Sequence, residues 1–246
     1  MDTTALIFSL IEWMGVIAVL FILRISQRFN RPLLVFKYPR REGMVSVSLL
    51  FVLLIFALTI RGYISGYYFA RIPLPVSPEW KINLALALVS LLLVALALYL
   101  RRQPIRSAGW NKIMLAPSLR LSLALMFLTV FLRNKAASIL NGISTEEGWA
   151  LVLLLIICLC EETFFRGYIH PRLSSWLGKN YGWVASAILF ALWRILMTPA
   201  TGDIPVIEFA FFAAQGLLLG WVMNKSGHVI TSGLYRTISE WLWVLA

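Results

Sequence analysis

Eight long apolar blocks, separated by short polar stretches, run the length of the chain. The first, Ala5 to Ile25, has the roughly 20 residues that a helix needs to cross a bilayer. No basic region opens it and no small-residue cleavage site follows, so it reads as a retained span and not a cleaved leader. The second runs from Met44 to Phe69, the third from Ile82 to Leu100 and the fourth from Leu119 to Leu132. The fifth opens at Trp149, the sixth covers Trp183 to Met197, the seventh Ile204 to Met223 and the eighth His228 to Ala246. Between them, Pro73, Pro75 and Pro78 mark a surface connector, and Pro199, Gly202 and Pro205 mark a break. Trp110 to Leu119 is amphipathic and is expected to lie along the membrane interface. The polar turn Asn134 to Gly148 ends in Ser144, an N-cap candidate, with Glu146 and Glu147 placed for a first helical turn. In the seventh block Gly216 and Gly220 have the spacing that lets helices approach closely. The pattern predicts an all-α, polytopic membrane helical bundle with about eight transmembrane spans. It has an N-terminal part, 1–148, and a C-terminal core, 149–246, integrated in one membrane domain.

Composition agrees with this. Hydrophobic residues are 60% of the chain, charged residues 13%, and the mean hydropathy is +0.83, far more apolar than an ordinary soluble domain. A net charge of +11 would suit nucleic acid, but basic residues in short loops between apolar helices are the usual topogenic signal, so no nucleic-acid partner is expected. The loops after spans one, three, five and seven hold Arg28, Arg31, Lys37, Arg40, Arg41, Arg101, Arg102, Arg106, Lys112, Arg172, Lys179 and Lys225. The opposite loops hold Arg71, Lys81, Arg133 and Lys135. This bias places the termini outside and the first loop in the cytoplasm of a cell membrane, expected to be bacterial or archaeal. Cys158 and Cys160 lie two apart on one helix, cannot form an ordinary disulfide and read as packing groups. His170, in an Ile-His-Pro segment expected at the surface, and His228 are the only histidines and do not make a zinc site. No metal and no other cofactor is expected.

The chemistry concentrates in Cys158 to Leu173, CLCEETFFRGYIHPRL, where hydrocarbon gives way to Glu161, Glu162 and Arg166. Ionisable groups at membrane depth mark an interior cavity or a functional site. Glu162 and Arg166 are i,i+4 with the acid first, the favourable order for an ion pair. Glu161 points about 100° away, so one carboxylate can be held by arginine while the other faces a cavity as a base. Glu12, in the first span, reads either as a carboxylate near the interface or as the partner of a buried arginine elsewhere.

These residues, followed by Tyr168, Leu173, Gly182 and the small-residue helix SAILFALW, resemble the CPBP family of intramembrane endopeptidases, which includes the CAAX-prenyl proteases. Its first motif, two glutamates, three variable residues and an arginine, is matched by Glu161, Glu162 and Arg166. Its second, a phenylalanine with a histidine four residues on, has its phenylalanine in Phe190 but an arginine, Arg194, in place of the histidine. Its third, a histidine with an asparagine four residues on, falls on Arg236 and Glu240, or in another register on His228 and Ser232. The resemblance implies a glutamate that activates water against a peptide bond, with histidine and asparagine steadying the oxyanion. Arginine cannot act as a general acid or base near neutral pH, although it can donate to an oxyanion. An adjacent arginine also makes a carboxylate a poorer base.

Two functions follow from the resemblance. One is an endopeptidase cleaving a membrane-anchored or prenylated protein or peptide through Glu161, Glu162, Arg166, Arg194, Arg236 and Glu240. The other is a catalytically inactive relative that binds membrane segments or a partner protein. The three acids and three arginines balance, and buried charges persist only when paired. Both readings need a lipid bilayer and a site where the helices carrying these groups meet.

Overall fold

The computed structural model describes residues 3–25, 36–64, 71, 77–197 and 206–245. Arg28, Arg31, Pro73, Pro75, Pro199, Gly202 and Pro205, named above for the loops, lie outside the described residues.

The described residues are mostly helical and contain no strands. Helix α1 is Thr3–Ile25, and α2 is Pro39–Thr59, which continues as a π-helical turn over Ile60–Ile64. Helix α3 is Pro78–Leu100, and α4 is Leu115–Leu132. A short α5, Ala136–Leu140, sits in the polar turn. Helix α6, Thr145–Glu162, passes into a π-helical segment, Thr163–Ile169, and then into α7, His170–Leu177. Helix α8 is Lys179–Met197, α9 is Val206–Ser226 and α10 is Val229–Trp241.

Among the described residues, seven segments are long and apolar enough to cross a membrane. The fifth is continuous over Thr145–Leu177, 33 residues, or about 50 Å at 1.5 Å per residue. That exceeds a hydrocarbon core of about 30 Å. The eighth apolar block gives only α10, with 13 residues, too short to span upright at that rise. It packs inside the bundle against α4 and α6.

Boundaries follow local chemistry. Ser144 Oγ accepts from the Glu147 backbone N–H, and the Glu147 carboxylate accepts in return from the Ser144 backbone N–H. This reciprocal cap satisfies two orphan donors at the start of α6. The segment from Trp110 is not a separate interfacial helix: 3₁₀ turns at Ile105–Ala108 and Lys112–Met114 lead directly into α4. Gly109 makes the bend possible with φ 81°, a left-handed conformation that a side chain disfavours. A Cβ on Gly167 would collide with the Ala108 carbonyl, so the bend seats against the π-helical segment only because residue 167 lacks one.

Small residues set the helix contacts near the glutamates. A Cβ on Gly216 would lie 3.0 Å from Ala187 Cα, and one on Gly220 would lie 2.7 Å from Trp183 Nε1. Helices α8 and α9 thus touch at the two glycines that the sequence marks, as expected where van der Waals contact drives association in lipid. The core has one cluster around Leu53, Leu86, Phe164, Phe165, Phe190 and Trp193, joining α2, α3, the π-helical segment and α8. A second joins α1, α4, α9 and α10 through Val16, Leu20, Leu125, Leu219 and Tyr235. Cys158 and Cys160 are both buried and both free.

Candidate functional site: a buried network of glutamates and arginines

Four elements carry six charges to one place in the bundle. The end of α6 and the π-helical segment provide Glu161, Glu162 and Arg166, α8 provides Arg194, and α10 provides Arg236 and Glu240. A π-helical segment inside an α-helix is uncommon and frequently occurs at functional sites. Here it begins at Thr163, directly after the two glutamates.

Arg236 is the hub. Its Nη2 donates to Glu161 Oε2 at 2.6 Å, its Nη1 to Glu162 Oε1 at 3.3 Å and its Nε to Glu240 Oε1 at 2.7 Å. Arg166 Nη1 lies 3.2 Å from Glu162 Oε1, the i,i+4 pair that the spacing predicts. Its Nη2 donates to the Gly216 carbonyl at 3.4 Å. Arg194 Nη2 lies 3.4 Å from Glu240 Oε1 and is the more open end, with a quarter of the Arg194 side chain exposed against none of Arg236. The Phe190 ring lies under the guanidinium of Arg166 at 3.9 Å and near that of Arg236 at 5.1 Å. Aromatic faces attract such cations. The phenylalanine of the second motif therefore supports two arginines.

Three features differ from the sequence reading. First, both glutamates are bonded to an arginine, not one alone. Glu161 Oε2 is bonded to Arg236, and Glu161 Oε1 accepts from Trp193 Nε1 at 2.9 Å. The arginine in place of the third-motif histidine reaches both glutamates at once, which no local spacing shows. Of the four glutamate oxygens, only Glu162 Oε2 is buried with no hydrogen-bond partner among the described residues. Second, His170 is not at the surface. It is 2% exposed, because the chain stays helical through Pro171, and its ring bonds to Ser186 Oγ and Asn224 Oδ1, each at 3.0 Å. Third, Arg172, assigned to a loop, is fully buried in α7 and held by Glu42 and Gln103.

The alternative third-motif register falls elsewhere. His228 is the N-cap of α10, its Nδ1 accepts from the Ile230 N–H at 3.1 Å, and its ring packs edge-on against Trp110. It is Arg236, two turns further on, that meets the glutamates. Among the described residues no group of three histidine, cysteine, aspartate or glutamate side chains is arranged to hold a metal ion.

Two further buried ion clusters have arginines that the sequence left unassigned. Glu12, fully buried, pairs with Arg133 from the end of α4. Of its two readings, the partner of a buried arginine is the one the structure shows. Arg133 also donates to Ser239 Oγ at 3.0 Å, which ties α1 to α10 behind the six-charge network. Glu42 accepts from Arg101 and Arg172. The partners lie 121 and 130 residues apart in the Glu12 and Glu42 pairs, so neither pair leaves a local pattern. Only the rarity of unpaired acids at membrane depth points to them.

No curated protein and no solved structure matches the chain. A family model described as Rce1-like, type II CAAX prenyl endopeptidase, matches residues 144–242, the stretch that starts at the α6 cap and contains all six charges. Over that stretch the chain is similar to the Rce1-like, type II CAAX prenyl endopeptidases of the CPBP family.

Proposed function

We propose that this is an intramembrane protease-like protein whose glutamates serve as counter-charges, and that it binds a membrane-anchored peptide segment without hydrolysing it. The observation that carries this reading is the bridging of Glu161 and Glu162 by Arg236. On taking a proton from water, Glu161 would lose its charge and leave Arg236 short of a counter-charge inside a low-dielectric bundle. Uncovering a buried charge in this way is costly. Arg194 and Arg236 are always protonated and donate only, so they can attract a carbonyl or carboxylate oxygen but cannot relay a proton. A partly exposed Arg194 beside Glu240 suits a peptide's polar groups more than it suits water activation. The bound segment is expected to enter from the bilayer, with the first loop on the cytoplasmic side.

A second reading rests on Glu162 Oε2, the carboxylate oxygen without a hydrogen-bond partner among the described residues. In that reading the protein is a working endopeptidase in which Glu162, not Glu161, activates water and the arginines hold the oxyanion. One experiment separates the two. Purified protein is offered a panel of membrane-anchored and prenylated peptides, and both photo-crosslinking and cleavage are scored. Crosslinking at Arg194 without cleavage supports the binding reading. Cleavage that survives Glu161→Gln and is lost in Glu162→Gln supports the second. Rebuilding the family pattern with Arg194→His, Arg236→His and Glu240→Asn should create cleavage that the parent lacks.

A further inference from the structure

At the membrane end where α2 begins and α3 finishes, Phe36, Lys37, Tyr38, Arg41, Glu42, Leu100, Arg101 and Gln103 surround a recess of about 340 Å³. Both helices are membrane spans that end here, Pro39 opening one and Leu100 closing the other. The recess is therefore at headgroup depth.

Its charge is unbalanced. Glu42 is the one acid in the wall, and its oxygens are already taken: Oε1 by Arg101 at 2.7 Å and Gln103 at 2.9 Å, Oε2 by Arg172 at 3.3 Å. Lys37 and Arg41 are exposed and add two more cations to the same wall. One carboxylate thus faces the cations Lys37, Arg41, Arg101 and, behind them, Arg172. Arg101 Nη1 is buried with no hydrogen-bond partner among the described residues. In addition, α2 starts at Pro39 with Tyr38 as an N-cap that supplies no side-chain acceptor. Pro39 has no N–H, and the next backbone N–H groups of the first turn, with the positive end of the dipole, favour an anion. Tyr38, 57% exposed, has the amphipathic ring that settles at membrane interfaces.

We propose that this recess binds the phosphate of an anionic phospholipid headgroup. Arg41 and Arg101 donate to the phosphate oxygens, Lys37 neutralises the second face, and the acyl chains run down the apolar flanks of α2 and α3. Basic pockets between spans are known to hold anionic headgroups, with each nearby cation strengthening the attraction. The ligand here is named by that chemistry. A bound lipid would also brace the Glu42–Arg172 pair, since Arg101 is shared between the two, and Arg172 lies one and a half turns beyond Arg166 on the continuous glutamate segment.

The test uses the full chain in phosphatidylcholine nanodiscs, with and without added phosphatidylglycerol. Native mass spectrometry reads retained lipid, and thermal unfolding reads stabilisation. Phosphatidylglycerol should be retained in preference to phosphatidylcholine. Lys37→Gln with Arg41→Gln should weaken that retention roughly 10- to 30-fold, from two lost cations. The charge-keeping pair Lys37→Arg with Arg41→Lys should retain the lipid. Arg102→Gln with Arg106→Gln removes the same charge from exposed neighbours outside the recess wall, and should change retention little. Equal loss in the two glutamine pairs would mean diffuse attraction and overturn the site. Inorganic phosphate or glycerol phosphate that stabilises the protein where phosphatidylglycerol does not would overturn the lipid as source. Should the first glutamine pair not fold, equal retention of the two lipids by the unmodified protein overturns the proposal by itself.

Discussion

Replacing Arg236 with methionine removes the hub of the network and leaves three carboxylates facing two arginines. The side chain is fully buried and donates to Glu161, Glu162 and Glu240. Two of its contacts, at 2.6 and 2.7 Å, are short charge-assisted bonds, the stronger class. At an effective dielectric of about 20, each pair is worth about 4 kcal/mol of Coulomb attraction at 4 Å. Much of that is offset by the desolvation the arginine already suffers, so the sum of pairs is not the cost. What remains is the penalty of stranding a buried charge, about 3 to 5 kcal/mol. At roughly 2 to 4 °C per kcal/mol for a chain of this size, the unfolding midpoint in detergent should fall by about 6 to 20 °C. The decisive arm is the double variant Arg236→Met with Glu240→Gln, which restores the balance of charge. Glu240→Gln alone should destabilise, because Glu240 is shared by Arg236 and Arg194. Added to Arg236→Met it should cost nothing or restore stability, a coupling of about 0.5 to 3 kcal/mol. An Arg236→Met midpoint equal to the parent's, or strictly additive effects, would refute the argument that the network is held by mutual neutralisation.

Glu12→Gln should lower stability by about 3 to 5 kcal/mol, since it strands Arg133 inside the bundle; unfolding in denaturing detergent measures this, and a near-neutral result contradicts the pairing. Gly182→Ala should destabilise by about 1 to 3 kcal/mol through overpacking, because a Cβ there would meet the backbone of Ser174; the same unfolding assay checks it. Tyr38→Cys, at an exposed position next to the basic loop, should react with an impermeant thiol reagent only from the cytoplasmic side. Cys158 and Cys160 are buried and should stay silent, so labelling from outside would reverse the proposed orientation.

Much of the bundle is legible in the sequence because bilayer physics is written locally: a run of about 20 apolar residues has few alternatives to a membrane helix. The Ser144–Glu147 cap, the Glu162–Arg166 pair and the close contacts at Gly216 and Gly220 are likewise set by spacings of three or four residues. Misread positions depended on the third dimension. His170 looks like a loop residue because proline follows it, yet the helix continues from the π-helical segment through Pro171. Glu161 looks free because its nearest arginine in sequence belongs to Glu162, while the arginine that binds it is 75 residues away. Arg172 looks like a topogenic loop charge because Glu42, its buried partner, lies on another span. In each case an ionisable residue had to be paired, and the identity of the partner depended on which helices meet.

The most direct measurement is a cleavage assay in heavy-oxygen water. The purified protein is incubated in lipid with membrane-anchored peptides, prenylated and unprenylated, and every carboxyl terminus is examined by mass spectrometry for solvent oxygen. Glutamates held by Arg236 should leave the peptides intact and unlabelled, while the Arg194→His, Arg236→His, Glu240→Asn variant should generate labelled termini. Labelled termini from the unmodified protein that disappear in Glu161→Gln or Glu162→Gln would contradict the account, because they would show a carboxylate activating water within the arginine network.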